Sequence, residues 1–311
     1  MLEIVNLSKA YSVGAFGKEK FYAVDNVTFK INDNEIVSLI GESGSGKTTI
    51  GKLILRLIKP TSGKILYNGI DISSFKNLKE YYRHVQGVFQ DPYSSYNPIF
   101  KIDRVFEMVR EEFYASTRQN EWRSRVEEVI SYIGLNPKEI LGKFPHQLSG
   151  GQLQRLLIAR ALLMETRFLV ADEIISMLDA STRIDVLNTL IKLKEKGLSV
   201  LFITHDLSLG YYTSDQTIIL YKGSIMEYGS TEKVFNNPLH PYTKMLLESV
   251  PTVHKKWTRS QIVLDGRSAP TGFCKFYDRC PLGDTNCKNV VLKEVENNHH
   301  VACVKIQSNN A

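Results

Sequence analysis

Two rhythms of hydrophobic and polar residues alternate along the chain. β-Branched or alternating runs at 2–7 (LEIVNL), 27–31 (VTFKI) and 36–40 (IVSLI) predict strands. Residues 49–57 have helical character, Pro60-Thr61-Ser62-Gly63 marks a turn, and further strands are predicted at 64–67 and 85–89. Between the first two strands, Gly14 to Lys20 reads as a polar hairpin or loop. From 101 to 164 the rhythm changes. Ile102, Val105, Phe106, Val109 and Phe113, then Val126, Val129, Ile130 and Ile133, recur at helical spacing, and Leu148 to Met164 continues as a helix after a glycine pair. Strand rhythm returns at 168–171, 199–203 and 216–221, separated by helical segments near 180–196 and 206–213. His240-Pro241 opens a short helix to Ser249 that Pro251 stops. The remainder reads as loop, ending in the polar tail Gln307 to Ala311. The simplest account is an α/β core, 1–90 and 166–250, interrupted by a helical insertion at about 91–165 and followed by a C-terminal extension, 251–311.

Composition is that of an ordinary folded protein, with 43% hydrophobic and 23% charged residues in 311. A net charge of +6 without a long basic run does not demand nucleic acid as a partner. No apolar stretch reaches 18 residues, and the N-terminus lacks the basic start and apolar core of a signal peptide. The expected location is the cytoplasm, at a membrane only where a partner holds the chain there. All four cysteines fall in the last 38 residues, which sets that region apart.

Candidate chemistry starts at Gly41-Glu42-Ser43-Gly44-Ser45-Gly46-Lys47-Thr48, between the strand at 36–40 and the helical segment that begins with Thr49. Strand, glycine loop and helix make a phosphate-binding loop. The glycines let successive N–H groups face one anion, and the helix start adds its positive end. Lys47 would reach the β and γ phosphates and Thr48 would sit on Mg²⁺. A second signal is Phe168-Leu169-Val170-Ala171-Asp172-Glu173, a buried strand that delivers two acids at its carboxyl end. Asp172 would hold Mg²⁺, and Glu173 would act as general base on water. A third is Leu148-Ser149-Gly150-Gly151-Gln152, another anion nest at a helix head.

Taken together these residues resemble the ATP-binding cassette family. LSGGQ is that family's signature, and it lies between the two phosphate-site motifs in the family's order. Thr204-His205-Asp206 fits its switch histidine, Gln90 its Q-loop glutamine, and Tyr11 the aromatic that stacks on adenine. The resemblance covers about residues 1–250 and implies a P-loop NTPase cassette with a RecA-like core, an antiparallel β subdomain and a helical insertion. It implies that two cassettes pair head to tail, each P-loop nucleotide being capped by the partner's Ser149, Gly150, Gly151 and Gln152. It implies catalytic roles for Glu173, His205, Lys47 and Gln90, with Thr48, Gln90 and Asp172 around Mg²⁺. Tyr93, Tyr96 and Phe100, after the Q-loop, would supply aromatic contact to a permease.

The sequence departs from the family at Ile174-Ile175-Ser176-Met177-Leu178-Asp179, where Pro-Thr-Ser-Ala-Leu-Asp is usual, and at Leu153, where Arg or Lys is common. Asp179 is kept, and the departure suggests a heterodimer with unequal sites. The tail, Leu239-His240-Pro241-Tyr242 onward, looks like the dipeptide/oligopeptide importer branch. That branch carries a cysteine motif, matched by Cys274, Cys280, Cys287 and Cys303, with Arg279-Cys280-Pro281 and Val301-Ala302-Cys303 closest. Four cytosolic thiols suit a [4Fe–4S] cluster or tetrahedral zinc, or stay unliganded. The resemblance points to the cluster, and His299 and His300 nearby read as surface residues. The implied function is an ATPase subunit at the cytoplasmic face of a membrane. Its implied partners are two permease subunits, a second cassette and, indirectly, a binding protein, with no nucleic acid. Oligosaccharide or nickel import is the alternative cargo. A soluble cassette acting on DNA or ribosomes is the alternative class.

Overall fold

The computed structural model describes residues 1–13, 19–250 and 272–307. The expected loop tip at 14–18, the Pro251 stop and the tail beyond 307 lie outside the described residues.

In chain order the elements begin with β1 (Leu2–Val13), β2 (Glu19–Ile31), β3 (Ile36–Ile40), α1 (Lys47–Ile54), β4 (Ser62–Tyr67) and β5 (Ile70–Asp71). Next come α2 (Leu78–His84), β6 (Val85–Val88), α3 (Asp103–Phe113), α4 (Gln119–Tyr132), α5 (Pro137–Ile140), α6 (Gly150–Leu163), β7 (Phe168–Asp172), α7 (Ala180–Glu195) and β8 (Ser199–Thr204). The chain ends with α8 (Leu207–Thr213), β9 (Gln216–Tyr221), β10 (Ser224–Ser230), α9 (Thr231–Asn236), α10 (Pro241–Glu248), β11 (Lys293–Glu296), β12 (His299–Val301) and α11 (Val304–Gln307). They form two compact units. The first comprises 1–31, 35–70 and 202–311, the second 32–34 and 71–201.

In the first unit, β2, β1, β4 and β5 make a four-stranded sheet, with β1 antiparallel to both β2 and β4. A second sheet runs β11-β12-β10-β9-β3 and mixes directions: β9 is parallel to β3 and antiparallel to β10, and β12 lies antiparallel to β10. Every residue of β3 is buried, as a strand covered on both faces requires. Beside it Ile40, Ile219, Tyr221, Met226, Tyr242 and Phe276 share one apolar cluster, so the C-terminal extension packs into this unit's core.

The second unit holds the parallel pair β6–β7 and most of the helices. Helix α6 is its hub, packing against α3, α4 and α7. It is buried on nearly all sides, in keeping with a sequence in which all but Gln152, Gln154, Arg155 and Arg160 are apolar or glycine. Trp122 of α4 is fully buried and stacks on Tyr114.

The expected strands at 2–7, 27–31, 36–40, 85–89, 168–171, 199–203 and 216–221 and the helix near 180–196 are present, each within a residue of those bounds or inside a longer strand. Strand β10, helix α9 and the β11–β12 hairpin were not expected. The region after 272 is therefore folded structure and not the loop its weak pattern suggested.

Candidate functional site

The phosphate loop lies in the first unit. Gly44 and Gly46 have φ of 78° and 105°, a left-handed backbone that glycine adopts without penalty. Gly41 is required for a different reason. A Cβ there would stand 2.1 Å from the backbone oxygen of Leu220 in β9. Lys47 is buried, and its ammonium donates to the carbonyls of Gly41 and Glu42 at 2.8 and 3.0 Å, arching over the loop. Among the described residues, the buried Ser45 Oγ finds no hydrogen-bond partner. Thr48 is exposed at the first turn of α1, and Thr49 is half-buried behind it. An ammonium, an exposed hydroxyl and a helix start gathered on one glycine turn suit a polyphosphate with its divalent cation.

Two further expected residues belong to this unit. Tyr11 is exposed and faces Phe21 across the β1–β2 pair, with Lys9 Nζ 5.2 Å from its ring centre. His205 is exposed just after β8, and Asp206 caps α8 by accepting from Ser208 and Leu209 N–H.

The second unit holds Gln90, Ser149 to Gln152, Asp172 and Glu173. Asp172 is 5% exposed at the carboxyl end of β7. Glu173 follows with φ of 50°, unusual for a residue with a side chain. The turn is pinned by Ser176, whose N–H and hydroxyl both donate to the Glu173 carbonyl, at 3.1 and 2.9 Å. Backbone held off its preferred region in this way clusters at working sites.

Ser149 caps α6 in a reciprocal box. Its Oγ accepts from Gln152 N–H at 3.2 Å, and Gln152 Oε1 accepts from Ser149 N–H at 2.9 Å. Gly151 is crowded, since a Cβ there would lie 2.1 Å from Thr182 Cγ2. Gln90 is exposed at the end of β6. The buried Gln154 of α6 donates to the neighbouring Phe89 carbonyl at 3.2 Å, so the signature helix fixes the Q-loop backbone. Asp179 caps α7. Bonds from the Ser181 hydroxyl and from Thr182 hold its carboxyl well below the usual carboxylate range.

The departures from the family pattern are accommodated inside. Ile174 and Ile175 are 1% and 2% exposed and Leu153 is fully buried, whereas Met177 is 61% exposed.

Two expectations need correction. Tyr96 is 5% exposed and its hydroxyl donates to Leu153 O at 2.9 Å, so it supports α6 and is not a docking aromatic. Tyr93 and Phe100 are exposed. His299 is fully buried, 2.8 Å from Glu227 Oε1, and so is not a surface residue, whereas His300 is half-buried and stacks on Tyr228. Their alternation within β12 places one on each face of the hairpin, a pattern visible only once the strand is known.

The four thiols are free and line one small cavity with His240, Tyr277, Leu282, Val290, Ala302 and Lys305. Burial pushes the Cys274 thiol up to about 11 and raises Cys280 as well. Among the described residues, no three His, Cys, Asp or Glu side chains are placed to hold a single metal ion.

Sequence reasoning also missed three residues joined to the phosphate loop. Tyr242 OH accepts from Glu42 N–H at 3.2 Å, Arg279 Nη1 donates to both Glu42 oxygens at 3.0 and 2.9 Å, and Arg279 in turn lies 3.5 Å from Tyr221 OH.

Comparison with known proteins agrees with this geometry. The ABC transporter family matches residues 24–176, and the oligopeptide/dipeptide transporter C-terminal region matches 226–287. The oligopeptide transport ATP-binding protein AppF of Bacillus subtilis is 38% identical, over 97% of this chain and 96% of its own length. A putative peptide import ATP-binding protein of Brucella ovis is 38% identical over 98% of both chains. OppF of Streptococcus pyogenes, an oligopeptide transport ATP-binding protein, is 45% identical over 76% of this chain and 78% of its own. Among solved structures, the dimeric ATP-binding cassette MJ0796 bound to ADP and Pi superposes with a TM-score of 0.66 at 30% identity, covering 74% of this chain and 99% of that one.

Proposed function

This chain belongs to the ABC transporter family, in its oligopeptide/dipeptide branch, and we propose that it is the ATP-hydrolysing subunit that powers import of di- and oligopeptides across a membrane. The observation that carries this reading is the presence, in one chain, of a lysine-bearing phosphate loop and a separate serine-capped glycine helix start. A single triphosphate needs one such nest. Two per chain suit a pair of cassettes, each closing the other's nucleotide.

Residues 1–250 form the cassette in this proposal, with 91–165 as its helical part, and 251–311 the extension. Tyr11 stacks on adenine. Residues 41–49 receive the phosphates, and Lys47 neutralises the charge that develops on them. Thr48, Gln90 and Asp172 hold Mg²⁺. Glu173 orients the attacking water and takes its proton, and His205 contacts the leaving phosphate. Ser149 to Gln152 serve the partner cassette's nucleotide. Among the described residues no helix is long and apolar enough to cross a membrane. Peripheral attachment at the cytoplasmic face therefore falls to two permease subunits, met through exposed Tyr93 and Phe100. The rearranged stretch before Asp179 supports pairing with a different cassette.

Cys274, Cys280, Cys287 and Cys303 would hold a [4Fe–4S] cluster. Their fit rests on the donor set, four thiols that line one cavity, the ligand set such a cluster takes. When bound, the cluster supplies a rigid four-point tie for the extension. The protonated Cys274 thiol would have to yield its proton on loading.

The test is to tag the full chain in its host, isolate it from membranes and reconstitute what accompanies it. Recovery with two permeases and a second cassette, and peptide uptake that requires ATP, are expected. A chain that remains free of membrane proteins and hydrolyses ATP on nucleic acid or ribosomes would overturn the transport reading.

A further inference from the structure

Three ion pairs leave the short segment between Cys274 and Cys280. Lys275 Nζ lies 2.8 Å from Asp25 Oδ2, Asp278 Oδ2 lies 2.7 Å from Lys222 Nζ, and Arg279 grips Glu42 with one nitrogen on both oxygens. Glu42 is part of the phosphate loop, and the other two partners adjoin Gly223, which is bonded to it. Glu42 is the loop's second residue. Lys222 precedes Gly223, whose N–H donates to Ser45 O at 2.9 Å. Asp25 N–H donates to Gly223 O at 2.8 Å. Gly46 rests so closely on Ala23 O that a Cβ would lie 2.1 Å from it. The loop is thus held between the middle of β2 and the β9–β10 turn, and the cysteine-bearing segment braces all three.

Glu42 is held twice, its main chain by Tyr242 and its side chain by Arg279. The guanidinium is backed by the rings of Tyr221 and Phe276, each at 5.7 Å, which sets its direction. Partly exposed pairs of this kind contribute little to global stability. Three of them converging on one loop act instead on where that loop lies. Arg279 also cancels a carboxylate that would otherwise repel a polyphosphate.

We propose that Arg279, acting through Glu42 with Lys275–Asp25 and Asp278–Lys222 as flanking ties, is a positioning residue for the phosphate loop, so that the cysteine module at both ends of this segment sets ATP affinity. This rests on the reading of residues 41–48 as the ATP loop. ATP titrated into the full-length chain, with the melting temperature measured in parallel, tests it. Arg279→Ala should weaken ATP binding about tenfold with little change in melting, Arg279→Lys should recover most of the loss, and Glu42→Gln added to Arg279→Ala should recover the part due to the unmatched charge. Arg123→Ala, which removes an exposed ion pair to Glu127 within α4, should bind ATP as wild type does.

Wild-type affinity in Arg279→Ala overturns the proposal, and so does an equal loss in Arg123→Ala. If Arg279→Ala does not fold, the double variant Lys275→Ala/Asp278→Asn replaces it, with about threefold weakening expected and unchanged affinity overturning the proposal. A wild-type chain that binds no ATP would instead overturn the reading of the loop, and this proposal with it.

Discussion

Replacing Glu227 by glutamine changes one atom in a carboxylate with no solvent exposure. Its Oε1 accepts from Leu239 N–H and faces His299 Nε2, both at 2.8 Å, and its Oε2 accepts from His240 N–H at 2.8 Å. Glutamine has one acceptor oxygen and one donor nitrogen. Whichever way the amide turns, at least one backbone N–H meets another donor inside the protein. A buried group left without its partner costs about 1–3 kcal/mol. Glu227→Gln should therefore lose about 2 kcal/mol, and Glu227→Ala, which strips the acceptor from all three donors, clearly more. Against a typical reserve of about 5–15 kcal/mol this is a large loss. The consequence reaches the nucleotide side, because His240 caps α10, accepting from Tyr242 N–H at 3.0 Å, and Tyr242 supports Glu42. Urea unfolding of the full chain gives the global change as a shift of midpoint at constant slope. Amide exchange at Leu239 and His240 gives the local one. A Glu227→Gln protein within about 0.5 kcal/mol of wild type, with both amides as protected as before, would refute the bond accounting.

Glu173→Gln should leave ATP binding intact and lower hydrolysis at least 100-fold or so, since it removes the proton acceptor alone; turnover near wild type would defeat the general-base role. Gly41→Ala forces a methyl to within 2.1 Å of Leu220 O, so melting should fall by the equivalent of about 1–3 kcal/mol and ATP affinity with it; an unchanged melting curve would count against the loop geometry. Anaerobic preparations should be brown with iron and sulfide in equal amounts, and Cys280→Ser should bleach them; a colourless protein with stoichiometric zinc would replace the cluster by the metal ion.

Much of the working surface was readable in one dimension, and particular residues show why. Gly44, Gly46, Lys47 and Thr48 act through backbone angles and a helix start that neighbouring residues set. The same holds for Ser149 and Gln152, a box closed within four residues. Strand β10 escaped notice because a bulge between Ile225 and Glu227 buries three residues in succession, erasing the alternation that marks a strand, and because one of the three is an acid. A register shift at Glu294/Glu296 blurs β11 likewise. Tyr96 was misplaced for the converse reason, since a tyrosine in a polar loop gives no sign that its ring turns inward.

Local order along the chain, then, was enough to specify the phosphate loop, the acidic strand end, the signature helix and the family they imply. Those features depend on torsion preferences and hydrogen bonds spanning a few residues. Folding alone determined that Arg279 meets Glu42 across 237 positions, that Tyr242 reaches the same residue across 200, and that His299 closes on Glu227. Nothing in a side chain's own sequence neighbourhood records such a partner. Opposite charges and matched donors find each other only after the sheet and its apolar cluster have brought distant segments within a few ångströms.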